Sequence, residues 1–309
     1  MDWITGIQRA VNYVEEHITE SIDYEEAAKQ AYSSSFHFQR IFGILCGFTL
    51  GDYIRMRRLS LAGRELSSSG IRVIDAALKY GYDTPESFSR AFVRFHGVSP
   101  SQARMGGVAL KFFSPLFVKL ILDGGNRMNY RMETKDAFQL VCKKLRDPHE
   151  AEMTTEQIIK RFWQECIDDG TILALSNYIT EKNIFGNCIV GASFGKDAAA
   201  EFPYAIGVHY DGKPVIDAGL TVEEVPAHTY MVFTCEGRMP EAFMRLYQQI
   251  YSEFFPTSAY KPCGGTDFEA YPSADVSNPC YTCEMWVAVD KNGEADDNQS
   301  KQVRRNQSI

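Results

Sequence analysis

One pattern occurs twice in the first third of this chain, and it restricts the fold more than any other feature. Phe38-x-Arg40-x-Phe42-x4-Gly47 returns as Phe88-x-Arg90-x-Phe92-x4-Gly97, displaced by 50 residues with identical internal spacing. Upstream, Ala27-Ala28 returns as Ala76-Ala77, displaced by 49. The one-residue difference falls in the turn, where Gly81-Tyr82 lengthens the second copy. Each copy reads as a short helix, a tight turn and a longer helix. Ser33-Ser34-Ser35 and Asp83-Thr84-Pro85-Glu86 supply helix starts, and Gly47 and Gly97 supply stops. Two helix-turn-helix units follow, the geometry that sets one helix into a DNA major groove. Ile4, Ile7, Val11, Val14 and Ile18 predict an amphipathic helix ahead of them over 2–18, and residues 52–66 form a longer helix between them.

On the helix 34–46, Phe38, Ile41, Phe42 and Leu45 share a core face, while Ser35, Phe36, Gln39 and Arg40 lie toward the other. The second copy buries Phe88, Phe92 and Phe95 and presents Glu86, Ser89, Arg90 and Arg94. Gln can pair with adenine, and Arg with guanine or phosphate. An ordinary bundle of solvated helices would not need arginines paired at repeat positions. The net charge of −8 does not oppose DNA binding, because it is unevenly placed. Residues 1–107 hold 12 Lys+Arg and 12 Asp+Glu; the remainder holds 20 and 28. Within the first part the acids come early and the arginines late, so a basic face remains for phosphates.

Beyond Gly106-Gly107 the pattern changes. Lys111–Leu122 and Met128–Leu145 read as strands about the turn Asp123-Gly124-Gly125-Asn126. Thr154-Thr155-x-Gln157 opens a helix through Cys166, and strand-like runs follow near 172–179, 184–193 and 204–210. A second cycle then reads strand 220–236, helix 240–254, strand 264–271 and strand 280–289. Residues 291–309 are polar and expected to be disordered. The most apolar stretch, Val108–Leu122, carries Lys111, Lys119 and Pro115, so no membrane partner is expected. The first residues lack a basic export signal, and eight irregularly spaced cysteines read as reduced thiols of a cytoplasmic protein. Cys280-x2-Cys283 is a lone pair without metal-ligand companions, so neither metal nor cofactor is expected.

Residues 1–107 resemble the DNA-binding domain of the AraC/XylS-type regulators. The resemblance rests on Phe36-His37-Phe38-Gln39-Arg40-Ile41-Phe42, on Asp52-Tyr53-Ile54-Arg55-x-Arg57-Arg58-Leu59, and on Ala76-Ala77-x3-Gly81-Tyr82-x3-Glu86-Ser87-Phe88-Ser89-Arg90-Ala91-Phe92. It implies DNA contacts from Ser35, Phe36, Gln39, Arg40 and Arg55, and from Glu86, Ser89, Arg90 and Arg94, with RNA polymerase a candidate partner. Gly43 and Cys46 stand where longer polar residues are common, and Gly63 inside the linker helix costs about 1 kcal/mol relative to Ala.

Residues 129–289 resemble the gyrase-inhibitor-like effector-binding domain through Ala205-x-Gly207-Val208, Phe268-Glu269-x-Tyr271 and Glu284-x-Trp286-Val287-x-Val289. By strand alternation Glu284 shares a face with Thr282 and Trp286, and a Glu amid apolar neighbours needs a partner. The resemblance implies that Glu284 is the centre of a cleft for a cationic or amphipathic small-molecule effector, walled by Trp163, Tyr204, Tyr271 and Trp286. A hydrolase using Glu284 with Tyr271, and a ligand-free scaffold, are the competing readings. The expected fold is multidomain: an all-α double helix-turn-helix domain (1–107), a linker and first strand region (108–128), and an α+β effector-binding domain (129–290) of two strand-helix-strand-strand repeats.

Overall fold

The computed structural model describes residues 3–117, 128–146, 153–195, 203–217, 219–272 and 276–291. The turn expected at 123–126 and the tail 292–309 lie outside them. Seven helices come first: α1 (Trp3–Glu16), α2 (Tyr24–Gln30), α3 (Ser35–Cys46), α4 (Leu50–Ser69), α5 (Val73–Lys79), α6 (Pro85–His96) and α7 (Pro100–Met105). The sequence repeat is a repeat of capping chemistry. The Ser34 hydroxyl accepts the amide of His37 at the start of α3, and Thr84 accepts that of Ser87 at the start of α6. Gly47 and Gly97 close the two helices at φ 75° and 82°, a left-handed turn that a side chain would strain.

Gly63 has a packing reason beside its cost to the helix. A Cβ there would lie 2.7 Å from the imidazole of His96, which bonds the Leu59 carbonyl through Nε2 and accepts the Lys111 amide at Nδ1. Residues 111–117, expected as strand, instead run irregularly along α4. The Ser60 hydroxyl accepts the Phe113 amide, the Tyr53 hydroxyl accepts the Leu116 amide, and Arg57 donates to the Phe113 carbonyl. Side chains of α4 thus take the backbone bonds that a ladder would have taken.

The remainder is a sheet with helices on one face. Its elements are β1 (Tyr130–Lys135), β2 (Phe138–Lys144), α8 (Thr155–Asp168), α9 (Thr171–Ser176), β3 (Ile189–Ser193), β4 (Tyr204–His209), β5 (Thr221–Val225), β6 (His228–Glu236), α10 (Glu241–Gln249), β7 (Tyr260–Pro262), β8 (Asp267–Tyr271) and β9 (Thr282–Lys291). The run near 172–179, expected as strand, is largely α9. Ile172, Leu175 and Tyr178 recur every third residue and turn one side to the core, a helical spacing. Among the described residues the strand order is β1-β6-β9-β8-β3-β4-β2-β5, with β7 on the side of β9. Each half carries strand, helix, strand and strand in the same roles, β2-α8-β3-β4 and β6-α10-β8-β9. The strand leading each half, β1 or β5, pairs with the other half.

The two sheet faces have different cores. Phe185, Tyr230, Phe268 and Trp286 pack on one. On the other, Met231, Phe233, Met285 and Val287 meet Phe243, Leu246 and Tyr247, and this same apolar cluster takes in Ala27, Phe38, Ile41 and Phe42. The first helix-turn-helix unit is therefore built into the core of the sheet domain. The second keeps its own core of Leu59, Leu66, Ala76, Ala77, Phe88 and Phe92.

Candidate functional site

Between α8 and α10 the sheet presents a carboxylate. Glu269 projects from β8 on the face of its register partners Gly191 and Met285, and it is 4% exposed. Gly191 leaves room beside it. A Cβ there would stand 2.1 Å from the Tyr204 hydroxyl, with the Glu269 carboxylate at 3.5 Å. Tyr271 donates its hydroxyl to Glu269 Oε2 at 2.9 Å, and Trp163 of α8 donates its indole N–H to the Tyr204 hydroxyl at 2.9 Å. The Trp163 and Tyr271 rings meet edge to face at 5.2 Å. Burial pushes the Glu269 carboxyl above its usual range, and Arg40 pulls it part of the way back.

That Arg40 comes from α3. It is 3% exposed, donates Nη1 to Glu269 Oε1, and donates Nε to Glu156 of α8 at 2.7 Å. Its guanidinium lies 5.4 Å from the ring centre of Tyr247 and 5.8 Å from that of Phe243. Burial works against the Arg40 charge, but Glu156 and Glu269 more than offset it and hold the group charged. Beside it His37 sets Nε2 3.2 Å from Asp267 and 3.3 Å from the Tyr251 hydroxyl. Burial, helped by Arg40, pushes His37 down to about 3, so the ring is neutral at neutral pH. Phe36 completes the contact in the cluster of Phe162, Tyr204 and Ile206, its ring centre 6.3 Å from that of Tyr204.

The open face expected on α3 is thus covered, which corrects that expectation. Phe36 and Arg40 are buried, and Ser35 and Gln39 are half-buried and bonded to each other at 3.2 Å. In this arrangement Phe36, His37 and Arg40 of α3 are covered by the sheet domain and its helices. The corresponding face of α6 is open: Glu86, Arg90 and Arg94 are exposed and Ser89 is half-buried. Arg55 is exposed on α4 and paired with Asp52.

A second correction concerns the cleft. Glu284 pairs with Ala270, the neighbour of Glu269 in β8, and so emerges on the opposite face of the sheet. There it is bidentate to Arg131 at 2.6 and 2.9 Å and accepts the Trp286 indole N–H at 3.1 Å. Trp286 is buried among Phe185 and Tyr230 on that face. Trp163, Tyr204 and Tyr271 come together; Glu284 and Trp286 do not join them, and Glu284 is no partner for Tyr271 as a base. The carboxylate that does join them is Glu269, to which the sequence reading assigns no role, as it assigns none to Glu156, Phe243 and Tyr247. Its alternation with Tyr271 inside the short strand Asp267-Phe268-Glu269-Ala270-Tyr271 was the available signal.

Residues 131–289 match the model of a family described as integron-associated effector binding protein, and residues 27–106 match a helix-turn-helix domain model. The chain is 35% identical over 99 residues to the HTH-type transcriptional activator AarP of Providencia stuartii, spanning 32% of this chain and 73% of AarP. It is 38% identical over 98 residues to the regulatory protein SoxS of Escherichia coli K12, spanning 32% of this chain and 92% of SoxS. The chain is an AraC-type transcription regulator with an integron-associated effector-binding domain. This AraC-type regulator is also similar to the structure of SAV2435 bound to tetraphenylphosphonium, at 23% identity and TM-score 0.43, over 53% of this chain and 94% of that one. Among its described residues no helix is long and apolar enough to cross a membrane.

Proposed function

We propose that this regulator binds double-stranded DNA through α3 and α6 and takes a small cationic effector in the Glu269 cleft. One observation carries the effector reading: a cation is already held there, the Arg40 guanidinium, between a buried carboxylate and aromatic rings. A desolvated carboxylate selects positive charge, and each ring face adds about 0.5–2 kcal/mol of cation–π attraction. Trp163, Tyr204 and Tyr271 are the wall. Ser35, Phe36, Gln39 and Arg40 of α3, with Glu86, Ser89, Arg90 and Arg94 of α6, are the DNA-facing set, and Arg55 adds a phosphate contact. RNA polymerase is the further partner, and the cytoplasm is the place of action. The working division is 1–107 for DNA, 108–128 as linker and 129–290 for the effector.

Binding rather than turnover suits the site. One Glu269 oxygen faces Arg40 and the other accepts from Tyr271, so the carboxylate is committed to charge pairing and not poised as a base. Calorimetric titration of the full chain with benzamidine and with its neutral analogue benzamide tests the reading. Wild type and Glu284→Gln should bind benzamidine alike and prefer it to benzamide, and Glu269→Gln should lose that preference. Retention of the preference by Glu269→Gln would move the effector site elsewhere.

A further inference from the structure

The cleft and the first DNA-reading helix are not two sites in this structure. They are the two halves of one contact. Arg40 supplies what a ligand would: a flat cation, desolvated, on Glu269, with Glu156 as a second counter-charge and Phe243 and Tyr247 on its ring side. Phe36 and His37 follow it in, against Tyr204 and against Asp267. Among the described residues the second copy, α6, packs on α4, α5 and α7 and leaves Arg90 exposed.

The geometry points to Arg40 as a tethered occupant of the effector site, so that this closed chain is its DNA-off form and a flat amidinium or guanidinium effector acts by ejecting α3. The inference rests on the reading of the Glu269 cleft as the effector site. The logic is competitive. Two cations cannot share one buried carboxylate, because the second would lie against the first without solvent to screen it. Each effector molecule bound at Glu269 therefore holds one Arg40 outside, and the helix that carries Arg40 goes with it. Released, α3 shows Ser35, Gln39 and Arg40 on the face opposite its core residues, as α6 already does. Effector and DNA then favour the same open form, and each strengthens the binding of the other by the same factor. The tether also sets the effector's chemistry: a ligand that displaces a guanidinium from a carboxylate with aromatic walls should itself be planar and cationic.

The test uses the full chain, benzamidine, and a short random-sequence duplex. Arg40→Ala removes the internal competitor, so benzamidine should bind it about tenfold or more tightly than wild type, since apparent affinity scales with the open fraction. Glu156→Gln loosens Arg40 without touching Glu269 and should tighten benzamidine about two- to fivefold by the same relation, which keeps the test alive if Arg40→Ala fails to fold. In wild type, benzamidine should raise amide exchange across Ser35–Cys46 but not across Pro85–His96. It should also tighten the duplex and steepen the salt dependence of binding, as α3 adds phosphate contacts to those of α6. Equal benzamidine affinity in wild type, Arg40→Ala and Glu156→Gln, with exchange on α3 unchanged, would overturn the tether and leave the effector site standing. Failure of wild type and both variants to bind benzamidine would overturn the effector reading itself, and the tether with it.

Discussion

Arg40 and Arg90 hold the same position in two copies of one motif, yet Arg40 is buried against Glu269 and Arg90 is exposed on α6. Their local sequences give both the same helix, the same cap and the same core face. What separates them is a neighbour, since α3 is packed between α8 and α10 and α6 is not.

That asymmetry should be measurable on DNA. For a duplex enriched by the full chain, Arg90→Ala should cost about 1–3 kcal/mol of binding whether or not benzamidine is present. Arg40→Ala should cost a similar amount only when benzamidine is present, because only then is Arg40 free to reach the groove in wild type. Fluorescence anisotropy titrations of the two variants check this. A full loss for Arg40→Ala without benzamidine would mean that α3 reads DNA from the closed form.

A buried ion pair is costly to break and seldom the most stable filling of its space. Glu269→Met alone leaves Arg40 buried with only Glu156, and should weaken the docking of α3. Arg40→Met with Glu269→Met replaces the pair by apolar volume, and should hold α3 closed more firmly, by about 1–4 kcal/mol, than wild type does. Exchange protection on Ser35–Cys46 reads the difference. The double variant should also cease to respond to benzamidine.

Acid should open the contact through His37. Its ring is held down to about 3 when α3 is docked, chiefly by burial and then by Arg40, whereas a free His titrates near its ordinary value of about 6.5. Between those values the undocked form binds the extra proton, so docking weakens as pH falls from about 6.5. Asp267 and the Tyr251 hydroxyl face the same ring nitrogen, and the charged Arg40 beside it acts in the same direction as burial. The comparison of wild type with His37→Asn isolates the histidine. Protection of the α3 amides, with each exchange rate referred to the intrinsic rate at its pH, should fall between pH 7 and about 5 in wild type and much less in the variant. Identical profiles would remove His37 from the effect.

Two glycines can be tested for the room they leave. Gly191→Ala sets a methyl 2.1 Å from the Tyr204 hydroxyl, which must then move off its bond to Trp163. It should destabilise the chain by about 1–3 kcal/mol and weaken benzamidine binding. Gly63→Ala, which on helix propensity alone would stabilise α4, should destabilise by a similar amount of about 1–3 kcal/mol, because the methyl meets His96 at 2.7 Å. Thermal melts of both variants decide, and a higher melting temperature for Gly63→Ala would mean that His96 yields easily.

The sequence by itself determined what depends on neighbours within a few residues. Helix starts at Ser34 and Thr84, stops at Gly47 and Gly97, and the apolar faces of α3 and α6 are local chemistry, and the repeat doubled the signal. Strand alternation likewise put Glu284 with Trp286, and they do share a face. Local pattern has no term for which sheet face the helices cover, so it does not tell that Glu284 and Glu269 stand on opposite faces. The run 172–179, and the described part 111–117 of the run 111–122, are not strands for a related reason: apolar content does not distinguish a strand from a segment bonded to helix side chains, or from a short helix under a sheet. The fate of α3 was decided only in the tertiary structure. Arg40 and Glu269 are 229 residues apart, and nothing local marks them as partners. An arginine on an amphipathic helix defaults to solvent, and only a buried carboxylate brought to it by a different domain can overcome the cost of taking its charge out of water.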